Sequence, residues 1–154
     1  MDDQVIDTWN IHNRINIYML DAVSAEALAA SPGSKGRSVG QMFMHMHNVR
    51  LMWLKSGGAD LLNGVAKIEK EQAADKDFMR QCFEASGTAI ETMLRRGLAA
   101  GGKIKGFKPH AVAFMGYLIS HESYHRGEIG VVLSEIGHPL DTKVSYGLWE
   151  WGVR

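Results

Sequence analysis

The chain has 154 residues, enough for a single domain spanning 1–154 with a substantial core and no need of cross-links. Lys plus Arg and Asp plus Glu both number 17, so there is no net charge and no electrostatic footprint for nucleic acid or an acidic membrane. Cys82 is the only cysteine, expected as a small buried thiol, which excludes an intrachain disulfide; the acidic start MDDQVIDTWN is unlike a signal peptide, and no apolar run approaches the roughly 20 residues of a membrane span, so a cytoplasmic protein is expected.

Four long segments carry helical periodicity and none shows sustained alternation, which predicts the all-α class. The first helix is expected from Asp3 to Ala30, with Ile11, Ile15, Tyr18 and Ala22 on one stripe and SPG at 31–33 as the stop. The second opens at Ser38, where SVGQ has capping-box spacing, and runs to SGG at 56–58. Residues 57–74 make a connection long enough to cross the end of a bundle. The third helix, Asp75 to Ala99, sets Phe78, Cys82, Ala85, Ala89 and Met93 on one face before AAGGKIKG breaks it. The fourth is expected to begin at Pro109 and close at Gly137, with Pro139 beyond. Together these predict a four-helix bundle with a long connection between helices 2 and 3. The tail HPLDTKVSYGLWEWGVR is too aromatic to be disordered and is expected to pack on the bundle as an irregular segment. Gly127 and Gly130, inside the fourth helix, predict close approach of another backbone, from this chain or a partner.

The fourth helix contains ISHESYHRGEIG, residues 119–130, and places His121 and His125 on one stripe with Phe114, Leu118, Ile129 (or Val132) and Ile136. Residues at i and i+4 have Cβ atoms about 6 Å apart, which lets two imidazoles converge on one ion at about 2.0–2.1 Å. A shared cation would also satisfy one nitrogen of each ring and exclude the charged form. The second helix offers a third ligand in MFMHMHNVRLMWL: His45 shares a stripe with Met42, Val49, Met52 and Trp53, and His47 one with Met44, Leu51 and Leu54. Periodicity does not choose between them, but two positions are about 200° apart on a helix, so only one can face the fourth helix. Three imidazoles make a neutral site with at least one open position, suited to zinc or another borderline first-row ion. His12, His110 and His138 lie outside this pattern and are expected at the surface or at helix ends.

His121-Glu122-Ser123-Tyr124-His125 also spells the H-E-x-x-H box of a zinc peptidase. The extended box needs Gly at 128 and His at 131, where the chain has Glu128 and Val131. Glu135 follows in the same helix and Glu150 in the tail, neither well placed as a third ligand, and no strand is predicted to hold an extended substrate. The peptidase reading is therefore the least favoured. Glu122 is expected at the edge of the core, bonded to a neighbour, with a general-base role beside a metal as its alternative.

Three motifs resemble the DinB/YfiT-like metalloenzymes, four-helix bundles marked by three histidines, over nearly the whole chain. SVGQMFMHMHNVRLMWL is similar to the family's second helix, in which a histidine precedes an aromatic by eight residues, as His45 precedes Trp53. HESYHRGEI resembles the family's H-x-x-x-H-R-G-Q box, with Glu128 where Gln is common, and YGLWEWG resembles a C-terminal segment of many members. With the capping-box start and the Met42 stripe, the resemblance points to His45, His121 and His125 as the ligands and leaves His47 on another face. It implies a divalent metal, zinc or nickel, a homodimer, and a metal-dependent enzyme acting on a small molecule. Some members of the family are thiol-dependent S-transferases or isomerases, so a low-molecular-weight thiol is the expected partner and a thiol-dependent S-transferase, or else a hydrolase, the expected type; a non-catalytic metal-stabilised bundle or interaction module is the alternative. It singles out no catalytic residue.

Overall fold

Side-chain caps and glycines set most of the helix ends. The computed structural model describes residues 1–154 and contains six α-helices and three short 3-10 turns; Ile104 and Phe107 form an isolated bridge and there is no strand. Helix α1 covers Asp2–Ala22 and is shorter than the sequence predicts. Val23 turns extended, and the Ser24 hydroxyl accepts the Ala27 N–H at 3.1 Å to start a separate helix, α2 (Ala25–Ala29). The alanine run favours helix, but a serine that satisfies a free N–H stabilises a new start.

Helix α3 (Val39–Gly57) begins with the expected capping box: Gln41 N–H donates to Ser38 Oγ at 3.1 Å and Ser38 N–H to Gln41 Oε1 at 3.0 Å. A Cβ at Gly40 would overlap the carbonyl of Ala73, so glycine is what lets the chain before α4 cross this helix start. Helix α4 (Lys76–Ala99) is capped by Asp75, which accepts the Phe78 N–H at 3.0 Å. Helix α5 (Ala111–Glu135) is capped by His110, whose Nδ1 accepts the Ala113 N–H at 3.1 Å, so Pro109 lies before the helix and not at its first position. Past its end Gly137 takes φ +82°, and His138 N–H donates back to Leu133 O at 2.8 Å. Helix α6 (Thr142–Gly147) and a 3-10 turn at Trp151–Val153 complete the chain.

The long connection has 3-10 turns at Ala59–Leu62 and Lys70–Gln72 and is tied to α3 by side chains. Asn48 donates to Ile68 O at 2.9 Å and accepts from Ile68 N–H at 3.1 Å, reproducing the exchange a neighbouring strand would make, and the Ile68 side chain is buried.

Helix α1 packs chiefly on α4, and α3 on both α4 and α5. The apolar core falls into two clusters, one around Leu20, Phe43, Phe83 and Ile129 and the other around Trp9, Leu54, Ile90 and Phe114. Along every long helix the passage from one cluster to the other runs through buried polar residues: His12, Asn13 and Asn16 on α1, Arg50 on α3, Ser86 on α4 and Glu122 on α5. Cys82 is buried, as expected. No helix is long and apolar enough to cross a membrane.

Two expectations need correction. The tail packs but is not irregular throughout, since Asp141 caps the short helix α6; it packs through Leu140 and Leu148 against the first cluster and through Arg154, whose guanidinium lies 3.7 Å from the Tyr18 ring, while Trp149 and Tyr146 stay 82% and 68% exposed. A Cβ at Gly127 or Gly130 would meet nothing within 4 Å, so no backbone of this chain approaches there, and of that expectation only approach by a partner is left.

Candidate metal centre and the buried polar layer

The four-residue step puts His121 and His125 on the side of α5 that faces α3, and His45 of α3 meets them there. One ligand atom from each of the three lies within 4.8 Å of the others, and the ring centroids are 4.6 to 5.3 Å apart. His125 Nδ1–H donates to Glu128 Oε1 at 2.6 Å, an arrangement in which the neutral ring presents the lone pair of Nε2 to His121 Nε2, 3.2 Å away. Two nitrogens held about 2.0–2.1 Å from a common tetrahedral ion would be about 3.3 Å apart, so the spacing suits shared coordination. The buried Nδ1 of His121 has no hydrogen-bond partner. If the ring carries its proton there, two lone pairs face each other across 3.2 Å; if the proton points to His125, the lone pair at Nδ1 is stranded. A divalent cation between the two Nε2 atoms resolves the first arrangement, in which both lone pairs face it.

Burial pushes the His45 pKa down to about 4, helped by Arg37 and the other two histidines. Burial, followed by His125, lowers that of His121 as well. Neutral imidazoles are the form that donates to a metal. Glu128 fixes the tautomer and orientation of His125, as outer carboxylates do for metal-ligating histidines, and an ionised carboxylate accepts that proton better than an amide. Trp53, Phe107, Phe114 and Tyr117 interlock edge to face beside the cluster, with Tyr117 stacked on His121 at 6.4 Å.

The structure brings the three expected ligands together and separates His47 from them, but not by the stripe read from sequence. The buried face of α3 is Met42, Phe43, Met46, His47, Arg50 and Leu54, while Met52 is 56% exposed, so of the stripe read from sequence only Met42 is in the core and His45 stands at its rim toward α5. His47 is buried against α4 and the connection: Nε2–H donates to Ala66 O at 2.7 Å and Nδ1 meets the Ser86 hydroxyl at 3.1 Å. Burial brings its pKa to about 4, against the pull of the Ala66 carbonyl. His110 is at a helix end as expected, and His138 lies just past α5.

His12 and Glu122 overturn their expectations, since both are fully buried at the centre of the polar layer. Glu122 Oε1 accepts from Arg50 Nη2 at 2.6 Å, Asn16 Nδ2 at 2.8 Å and His12 Nε2 at 3.1 Å; Oε2 accepts from Arg50 Nε at 2.9 Å. Burial alone would raise the Glu122 pKa, yet the charge and hydrogen bonds of Arg50, with His12, hold it well below the usual carboxylate range. Arg50 is planar between Trp9 and Phe83, with its carbon 4.9 and 5.0 Å from their ring centroids, and its Nη1 donates to Asn13 Oδ1 at 2.8 Å and Ser86 Oγ at 3.0 Å. Burial keeps His12 neutral, its pKa lowered although Glu122 opposes the shift. Glu122 is thus a structural anion whose oxygens are fully engaged and is not free to serve as a peptidase base. The one sequence signal for this layer is Arg50 itself, a charged residue within the apolar run VRLMWL.

The fold and site define an all-helical protein with three imidazoles arranged compatibly with a divalent metal. The chain belongs to the DinB family, which matches residues 1–146. Comparison with curated proteins and with solved structures gives no match.

Proposed function

We propose that His45, His121 and His125 hold one divalent first-row ion, zinc or nickel, and that the protein is a metal-dependent enzyme acting on a small molecule, of thiol-dependent transferase or hydrolase type. In this reading the four long helices form one bundle, a low-molecular-weight thiol is the co-substrate, and the working unit is a homodimer. The observation that supports the site best is the facing pair of imidazole nitrogens at 3.2 Å with His125 already committed through Nδ1 to Glu128. A bound ion supplies Lewis acidity, lowering the pKa of a coordinated thiol or water. The chain's own residues do the rest: three neutral rings leave the charge of the ion undiminished, Glu128 orients His125, and the Trp53–Tyr117 aromatic wall gives an incoming molecule an apolar side to lie against. His45 and His121 are only half-buried, so the cluster sits where a small molecule can reach it.

Elemental analysis of purified protein and of His45→Ala, His47→Ala, His121→Ala and His125→Ala tests the site. The expected result is near-stoichiometric metal in the protein and in His47→Ala, and loss in the other three with helicity retained. Full occupancy in His45→Ala with loss in His47→Ala would show the ligand set to be wrong. Low-molecular-weight thiols screened against model electrophiles, with and without chelator, test the activity; no chelator-sensitive turnover with the metal in place would favour a purely structural ion.

A further inference from the structure

On the other side of α5 from the histidines, the helix and the C-terminal segment line an open cavity of about 490 Å³, within the range that holds small organic ligands. Its walls are Met19, Leu140, Leu148, Trp149 and Trp151, and Arg126 is the one charged residue that lines it. Gly127 and Gly130 both line it, and neither has a neighbouring atom within 4 Å of where a Cβ would stand. Interior helix glycines cost about 1 kcal/mol each relative to alanine, and here no packing in the chain offsets that cost.

The charge balance shows what the cavity lacks. Two guanidinium groups, Arg50 and Arg126, adjoin the polar layer, and Glu122 is its one carboxylate, with both oxygens taken by Arg50. Every protein partner of Arg126 is neutral: Nη1 donates to Asn16 Oδ1 at 2.6 Å and to His12 Nδ1 at 3.3 Å, and Nη2 to Ser123 Oγ at 2.9 Å. These contacts occupy three of its five N–H groups and leave two, Nε–H among them, without a protein partner. The cavity therefore has an apolar, tryptophan-lined body and a half-buried monocation with donors to spare.

We infer that this cavity is a binding site for a small organic monocarboxylate with an aromatic or apolar body, its carboxylate on Arg126 and its body between α5 and the tryptophans of the tail. One spare charge matches a monoanion, and a guanidinium edge presents parallel donors to a planar carboxylate. The site is independent of the proposed metal, because none of the three histidines lines it.

The test uses the full chain with benzoate, phenylacetate and indole-3-acetate, and phenylacetamide as the neutral counterpart, followed by tryptophan fluorescence and calorimetry. At least one acid is expected to bind saturably, with phenylacetamide about tenfold or more weaker than phenylacetate, as loss of a charge-assisted pair implies. Arg126→Gln should remove the preference for acid over amide. Gly130→Leu, which projects into open space and so leaves the fold intact by circular dichroism, should abolish binding of both. Absence of saturable binding by all three acids, equal affinity for acid and amide, or undiminished binding in Gly130→Leu overturns the proposal. So does a concentration-dependent dimer in sedimentation that Gly130→Leu disrupts while no acid competes with it, since the cavity would then be a subunit contact.

Discussion

Replacing Glu122 by glutamine removes one charge from the centre of the protein while keeping its shape. The least costly amide orientation leaves the carbonyl at the Oε1 position, where Arg50, Asn16 and His12 donate, and turns the NH₂ toward Arg50 Nε, which faced Oε2 at 2.9 Å. Two donors then oppose each other in a site with no solvent access, and Arg50 and Arg126 have no anion between them. Breaking a buried pair in this way costs about 3–5 kcal/mol, a large share of a total stability of about 5–15 kcal/mol. Urea denaturation at pH 7, followed by circular dichroism, should show the midpoint falling with the slope unchanged. Metal content should stay the same, because Glu122 does not touch the three-histidine cluster. A loss of stability below about 1 kcal/mol would refute the view that the layer is held by charge. An unchanged midpoint with abolished chelator-sensitive activity would instead restore Glu122 as a catalytic base.

Ser38→Ala removes one half of the capping box at the start of α3 and should cost about 1 kcal/mol, read as a lower urea midpoint; no change would mean that Gln41 caps alone. Gly127→Ala should raise the melting temperature, by the equivalent of up to about 1 kcal/mol, because the new methyl meets no atom within 4 Å; a fall would reveal a close contact from a second chain. The lowered pKa of His12 keeps it neutral in the folded protein while the unfolded chain takes up a proton below about pH 6.5, so this residue removes stability as the pH falls. Metal-free His12→Gln should therefore lose stability less steeply between pH 7 and pH 5 than the metal-free parent, by up to about 1.4 kcal/mol per pH unit, and equal slopes in urea titrations would contradict the assignment.

The features legible in sequence were those governed by local chemistry. Ser38 with Gln41, Asp75, and Gly137 with Pro139 set helix boundaries through contacts within a few residues, and the i, i+4 step of His121 and His125 fixed their common side. Ser24 shows the limit even there, since a single hydroxyl broke a helix that propensity would have continued. The rotation of α3 was not legible. Of Met42, Val49 and Met52, a stripe apolar by residue type, only Met42 is buried, and the core face also contains His47 and Arg50, whose burial depends on partners 19 to 72 residues away in sequence. His12 was misplaced for the same reason: its partner, Glu122, lies 110 residues on. Family resemblance selected His45 where periodicity could not.

Asn48 holds both backbone groups of Ile68, and its neighbour His47 holds the carbonyl of Ala66. A stretch that would be drawn as a loop is thereby laced to one side of α3, while α5 covers another. Helix α3 is consequently restrained against rolling about its own axis, which is the motion that would swing His45 out of reach of His121 and His125. The aim of a rim residue thus owes as much to the two hydrogen bonds of the Asn48 amide on the back of the helix as to the helix that bears it.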